Sequence, residues 1–167
     1  MERNVKGAWR VSEIPYLIRG AYREEWDDAM ALAWKTFLQF EAGEYTPEGI
    51  RNFENFITDT TLHRMFIIGT YQMFVALDQK KIVGMLTLRN TSHISLLFVD
   101  ARYHRKGIGR ALIEHMREYL LSEAGVSKVT VNAAPYGVAF YHKIGFRDLR
   151  PEETKDGIKY TPMEFVL

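Results

Sequence analysis

The chain contains no cysteine. That excludes a disulfide framework, thiolate metal sites and a Cys nucleophile, and it agrees with a reducing compartment. Neither sign of charge predominates. With 22 Lys and Arg against 21 Asp and Glu, the net charge of +1 supplies no field to draw the chain to nucleic acid or anionic lipid. Long apolar runs are missing as well. The most apolar stretch, MFIIGTYQMFVAL at residues 65–77, is too short and too interrupted to cross a bilayer. The opening MERNVKGAWR has no apolar signal-peptide core. Gly and Pro fall singly, with no repeat, linker or low-complexity tract. These absences predict one domain over residues 1–167, soluble and cytoplasmic, with no metal and no nucleic-acid or membrane partner.

What is present is an ordinary globular balance, 47% hydrophobic and 26% charged over 167 residues, enough for one sizeable core. Residues 16–22 read as a first strand. Residues 27–40 carry Met30, Trp34, Phe37 and Leu38 at helical spacing, with Asp27 or Asp28 as cap and Gly43 as stop. Thr46-Pro47-Glu48 reads as N-cap, first-turn proline and an acidic residue at the positive helix end, ahead of an apolar stripe of Ile50, Phe53 and Ile57. Three strands follow, at 73–77, 82–89 and His93–Val99, joined by turns short enough for an antiparallel meander. Ile108, Leu112, Met116, Tyr119 and Leu120 mark a third helix, closed by Gly125. Then come a strand at Lys128–Ala133, a short helix opened by Pro135 and closed by Gly145, and a final strand at 160–167. The expected order is β-α-α-β-β-β-α-β-α-β-β, an α/β fold with a mixed, mostly antiparallel sheet flanked by helices.

The chemistry concentrates in LLFVDARYHRKGIGRAL, at 96–112. An apolar strand enters a polar loop, and Gly107-Ile108-Gly109 stands where the helix begins. Free N–H groups and the positive dipole end meet there. Arg105, Lys106 and Arg110 add three cations around the same spot. Together these suit a phosphate or pyrophosphate. The pattern is not a P-loop, which needs two glycines five apart followed by Lys and Ser or Thr. Nor is it a dinucleotide GxGxxG, because Leu112 holds the third glycine's place.

The segment His104-Arg105-Lys106-Gly107-Ile108-Gly109 resembles the pyrophosphate loop of the GNAT (GCN5-related N-acetyltransferase) superfamily, Q/R-x-x-G-x-G/A, with His104 in the place of Gln or Arg. The second signature, FY-x3-GF, is matched by Phe140-Tyr141 and Gly145-Phe146, past a strand and about thirty residues after the loop. The resemblance implies an acetyl-CoA-dependent N-acetyltransferase acting by direct attack of a primary amine in a ternary complex. It implies that the backbone of Leu97, Phe98 and Val99 pairs with the pantetheine arm, and that residues 105–110 cradle the pyrophosphate. Tyr141 would protonate the departing thiolate, and an N–H near Phe98 would stabilise the oxyanion. Many relatives carry Asn where this chain has Ala134, and Asn132 stands two residues earlier as a cofactor-binding alternative. Some carry a glutamate base where this chain has Val129.

The base must then come from elsewhere, because a free alkylamine is protonated at neutral pH. Glu41, Glu44 and Glu48, in the segment that borders the acceptor site in this family, are candidates to attract or deprotonate a cationic amine, Glu41 foremost; His93 and a water chain are alternatives. The acceptor is a small-molecule or peptide amine. A homodimer stays open, since relatives often dimerise. Rival readings are a non-catalytic acyl-CoA-binding or sensing module, a transferase of longer acyl groups, and a basic-loop nucleic-acid binder. The other histidines (His63, His115 and His142) lack ligand spacing. The serines show no triad partners, and the tryptophans Trp9, Trp26 and Trp34 read as core with some walling the acceptor pocket.

Overall fold

The computed structural model describes residues 14–167; Trp9, expected in the core, lies outside them. Eight strands are β1 Leu17–Gly20, β2 Gln72–Asp78, β3 Lys81–Arg89, β4 His93–Val99, β5 Lys128–Ala133, β6 Arg147–Asp148, β7 Glu153–Lys155 and β8 Ile158–Val166. Five α-helices are α1 Trp26–Phe40, α2 Pro47–Ile57, α3 Thr60–Ile67, α4 Ile108–Ser122 and α5 Val138–Ile144. The strands run β1-β2-β3-β4-β5-β8-β6 across the sheet, with β7 paired to β8. Only β4 and β5 are parallel; every other pairing is antiparallel.

Alternation along β2 shows how the sheet is buried on both faces. Phe74 and Ala76 join Leu112, Met116 and Tyr141 in a core under α4 and α5. Met73, Val75 and Leu77 join Ala29, Phe37 and Leu62 in a core under α1, α2 and α3. A strand covered on both faces reads as a continuous apolar run, as 73–77 does.

The expected order misses three features. Helix α3 was not anticipated because its sequence runs into the apolar stretch 65–77. Its signal is Asp59, whose Oδ1 accepts from the N–H groups of Thr61 at 2.6 Å and Leu62 at 3.2 Å. The expected order closes with two strands after the last helix, whereas the chain has three, β6, β7 and β8, the first two too short for periodicity to register. The start of α1 is Trp26, after a 3-10 turn at Arg23–Glu25, so Asp27 and Asp28 lie inside the first turn rather than capping it. The expected cap at Thr46 is present: its Oγ1 accepts from Gly49 N–H at 3.1 Å, with Pro47 at the first helical position.

Replacing Asp59 by alanine leaves two first-turn N–H groups of α3 without their acceptor. It is expected to lower unfolding free energy by about 1 kcal/mol, the usual value of an N-cap, read as a lower urea midpoint at unchanged slope. An unchanged midpoint would show that α3 is held by packing alone.

Candidate active site

Strands β4 and β5 pair only at His93↔Thr130 and Ile94↔Val131, and then separate. The break coincides with an irregularity in the neighbouring ladder, where Thr87 stands opposite Leu96 and Leu88 opposite Ile94, leaving Ser95 as the extra residue. A bulge bends its strand and ends regular pairing. It is fastened from behind by three hydroxyls: Tyr71 OH to Thr87 Oγ1 at 2.7 Å, Tyr71 OH to Ser95 Oγ at 2.6 Å, and Thr87 Oγ1 to Ser95 Oγ at 2.8 Å.

The direction of the β4 backbone follows from one bond. Asp100 N–H donates to Val83 O at 2.8 Å, one step past the Val99↔Gly84 pair. Opposed residues in an antiparallel ladder alternate between bonded and non-bonded pairs. The backbone groups of Phe98 therefore face β3, while those of Leu97 and Val99 face the gap left by β5. The Phe98 side chain packs in the core under α1 and α2. Of the three residues expected to meet a pantetheine arm, Leu97 and Val99 present their peptide groups to the gap, and Phe98 does not. The N–H groups available for an oxyanion near Phe98 are those of its two neighbours.

At the end of β4 the loop turns into α4. Asp100 is buried and accepts from Arg102 N–H at 2.9 Å, with Lys35 of α1 at 3.4 Å. Burial pushes its carboxyl up, but hydrogen bonds from Arg102 and the charges of Lys35 and Arg102 outweigh it and hold the carboxyl at about 2. The His104 ring Nε2–H donates to Val99 O at 2.7 Å and lies 5.0 Å from the Phe40 ring. His104 thus pins the loop to β4 and to the end of α1. Arg105 has φ +61°, and Gly107 caps α4 with φ +83°, a left-handed conformation that favours glycine. Arg105 and Lys106 are exposed there, Ile108 is buried beneath the helix start, and Arg110 is exposed on its first turn.

Gly109 serves close packing. A Cβ there would stand 3.0 Å from the Phe140 ring, so the glycine of the loop and the phenylalanine of FY-x3-GF are one contact. Tyr141 follows on α5, buried, with its ring edge-on to Phe140 and to Phe146. Phe146 stacks on Phe165 of β8, which anchors the second motif to the sheet.

The gap opens into a cavity of about 1000 Å³. Its lining includes Leu97, Phe98, Val99, His104, Arg105 and Gly109 on one side and Asn132, Ala134, Phe140 and Tyr141 on the other. Glu41, just past α1, also lines it, whereas Glu44 and Glu48 are exposed and do not. Burial pushes the Glu41 carboxyl up to about 7. Burial, and then the Glu41 charge, raise the phenols of Tyr141 and Tyr45 above the usual tyrosine range. Glu41 and Tyr141 therefore line one space closely enough for the charge of one to act on the other. His93 lines it too. Its ring Nδ1 bonds Thr130 Oγ1 at 2.8 Å, and burial, with Arg89 nearby, lowers its pKa. Val129 is fully buried in the core, so β5 supplies no carboxylate at that place.

The far wall was not legible in the sequence. Tyr45, Asn52, Phe56, Arg89, Lys155 and Tyr160 come from five separate segments with no motif among them. Trp26 and Trp34 line a different hollow of about 470 Å³ between α1, α2 and α3. No cluster of three metal-ligating side chains occurs among the described residues, and none of their helices is long and apolar enough to cross a membrane.

The family model for the acetyltransferase (GNAT) domain matches residues 41–167. Among solved structures, a GCN5-related N-acetyltransferase from Rhodopseudomonas palustris superposes with TM-score 0.76 at 22% identity, covering 96% of this chain and all of that one. The PaiA N-acetyltransferase from Thermoplasma acidophilum, in complex with coenzyme A, gives 0.75 at 19%, covering 92% and 100%. The ribosomal-protein-S5-alanine acetyltransferase from Vibrio fischeri gives 0.65 at 16%, covering 90% and 92%. No curated protein sequence matches this one.

A carboxyl that titrates near 7 when folded, against 4.5 ordinarily, holds its proton more tightly in the native state. Its contribution to stability is complete below about 4.5 and is lost as pH rises through about 7. Glu41→Gln is expected to gain stability relative to the parent across that window, measured by urea melts at pH 4.5, 6 and 8. A pH-independent difference would show that Glu41 titrates as an exposed carboxylate.

Proposed function

Because the chain belongs to the GNAT acetyltransferase family, we propose that it is a single-domain N-acetyltransferase that takes its acetyl group from acetyl-CoA and passes it directly to a primary amine. The observation that carries this reading is the placement of Glu41 and Tyr141 in one cavity, beside the backbone of Leu97 and Val99.

The donor fits the residues present. The left-handed Gly107 and the first turn of α4 offer backbone N–H groups to a pyrophosphate, with Arg105 at the cavity edge. Leu97 and the N–H of Val99, whose O is taken by His104, offer a strand edge to the two amides of a pantetheine arm, the pairing that β5 gives up. Asn132, exposed on β5 across the gap, is placed to bond the same arm.

Each catalytic task then falls to a named group. Glu41, half ionised near neutral pH, takes the proton from the amine as nitrogen attacks the thioester carbon. The Leu97 or Val99 N–H stabilises the negative charge that develops on the carbonyl oxygen. Tyr141, held protonated by burial, gives its phenolic proton to sulfur as the C–S bond breaks. A mere acyl-CoA-binding module needs no such acid and base. Glu41 supplies from the α1 side what Val129 does not supply from β5, and this favours turnover over sensing.

Calorimetric titration with acetyl-CoA is expected to give micromolar binding, with ATP far weaker, and Gly107→Glu is expected to abolish it by placing a strained, anionic side chain in the cradle. Tight binding retained by a folded Gly107→Glu protein would refute the cradle. Tyr141→Phe should lower kcat about 100-fold, the scale of general-acid catalysis, while leaving acetyl-CoA affinity nearly intact; an unchanged kcat would remove its role. The parent's kcat/KM is expected to rise with pH through about 7, and Glu41→Gln to erase that limb. A limb that persists in Glu41→Gln assigns the base to another group.

A further inference from the structure

Of the three carboxylates expected to attract or deprotonate a cationic acceptor only Glu41 lines the cavity, and the far wall carries cations as well. Arg89 closes β3 opposite His93, and alternation puts it on the same face as Thr87, toward α1–α3. Lys155 closes β7, where the Asp156-Gly157 turn reaches across to α2. Thr46 N–H donates to Gly157 O at 3.2 Å and Asn52 Nδ2 to Asp156 O at 3.4 Å, so the hairpin is fastened over the cleft. A Cβ on Gly49 would stand 2.6 Å from Gly157 O, which shows how closely the two segments meet.

Several cations elsewhere are matched, Arg19 with Glu25, Lys128 and Arg147 with Glu164, Arg150 with Glu153, and others stand in open solvent; what sets Arg89 and Lys155 apart is that they line the cleft. Among the described residues, Arg89 and Lys155 have no carboxylate within ion-pair distance. Lys155 acts on Glu153 only at longer range. Asp156, exposed at the hairpin tip, is the one carboxylate lining this end. His93, its pKa lowered by burial and by Arg89, adds a neutral hydrogen-bonding ring. Two unpaired cations at the wall of a cleft concentrate anions there, and the guanidinium binds a carboxylate through paired N–H bonds.

The geometry points to an acceptor that is an amine bearing a carboxylate, of amino-acid or short-peptide size, its anionic end held by Arg89 and Lys155. This rests on the transferase reading above. His93, opposite Arg89, lies two residues from the Ser95 bulge, or about 7 Å at strand rise. The Leu97 N–H offered to the carbonyl lies two residues further on, so the long Arg89 side chain and the acceptor together cover that span. A polyamine would set surplus positive charge against both side chains, a repulsive element in the recognition.

The test follows thiol release from acetyl-CoA with matched acceptors: β-alanine against β-alaninamide, glycylglycine against glycylglycinamide, and spermidine as a polycation, each at equal concentration of neutral amine. Each carboxylate is expected to exceed its amide in kcat/KM by about tenfold or more, the value of a charge-assisted hydrogen bond. Arg89→Gln and Lys155→Gln should shrink that ratio, chiefly through KM. Both side chains are exposed, so neither substitution removes core packing. Equal use of acid and amide, a preference for spermidine, or a ratio that survives both substitutions overturns the proposal and leaves the transferase intact. No thiol release with any acceptor, from protein that binds acetyl-CoA, overturns the transferase reading and this proposal with it.

Discussion

Everything in this molecule is arranged around the two residue pairs at which β4 and β5 part company. A parallel ladder that stops after two pairs leaves peptide groups facing each other across a gap inside the sheet, and buried peptide groups without partners are costly. The fold sustains the gap because the strands on either side are held from elsewhere. Strand β4 is held by β3 and the Tyr71–Thr87–Ser95 hydroxyls, and β5 by six residue pairs with β8. What remains open is a slot edged by strand backbone.

The two sequence signatures meet across that slot. Gly109 has no side chain because the Phe140 ring occupies the place of one, and Phe146 stacks on Phe165 of β8. The helix that begins at the cradle and the helix that carries Tyr141 are thus locked to one another and to the same sheet. Glu41 arrives from the opposite layer, at the end of α1. The pair depends on a sheet that both layers share, and a displacement of either layer separates Glu41 from Tyr141.

Two carboxylates, the half-buried Glu41 and the buried Asp100, show how surroundings decide what an identical group does. Glu41 is withdrawn from water with no cation to offset the loss, so its proton is held to about 7. Asp100 is also withdrawn, but Arg102 and Lys35 bond to it and hold it at about 2. The first is poised to exchange a proton. The second stays an anion that fastens the approach to the cradle to α1.

Local signals were readable where one segment supplied all the chemistry. Thr46-Pro47 started α2, the glycines of 107–109 started α4, and short polar turns gave the β2–β4 meander. Helix α3 escaped because its eight residues run into an apolar strand, and β6 and β7 because two or three residues carry no period. Glu41 stood out in the sequence only as one of three carboxylates in a polar segment; burial singled it out.

The sequence by itself determined the elements, their order and the two motifs, since capping, periodicity and turn chemistry act within a few residues. Only the tertiary structure decided that β4 and β5 diverge at Ser95, that Glu41 rather than Glu44 or Glu48 enters the cleft, and that Arg89 and Lys155 line its far wall. Those outcomes depend on which distant segments exclude water from which side chain, and no spacing along the chain encodes that.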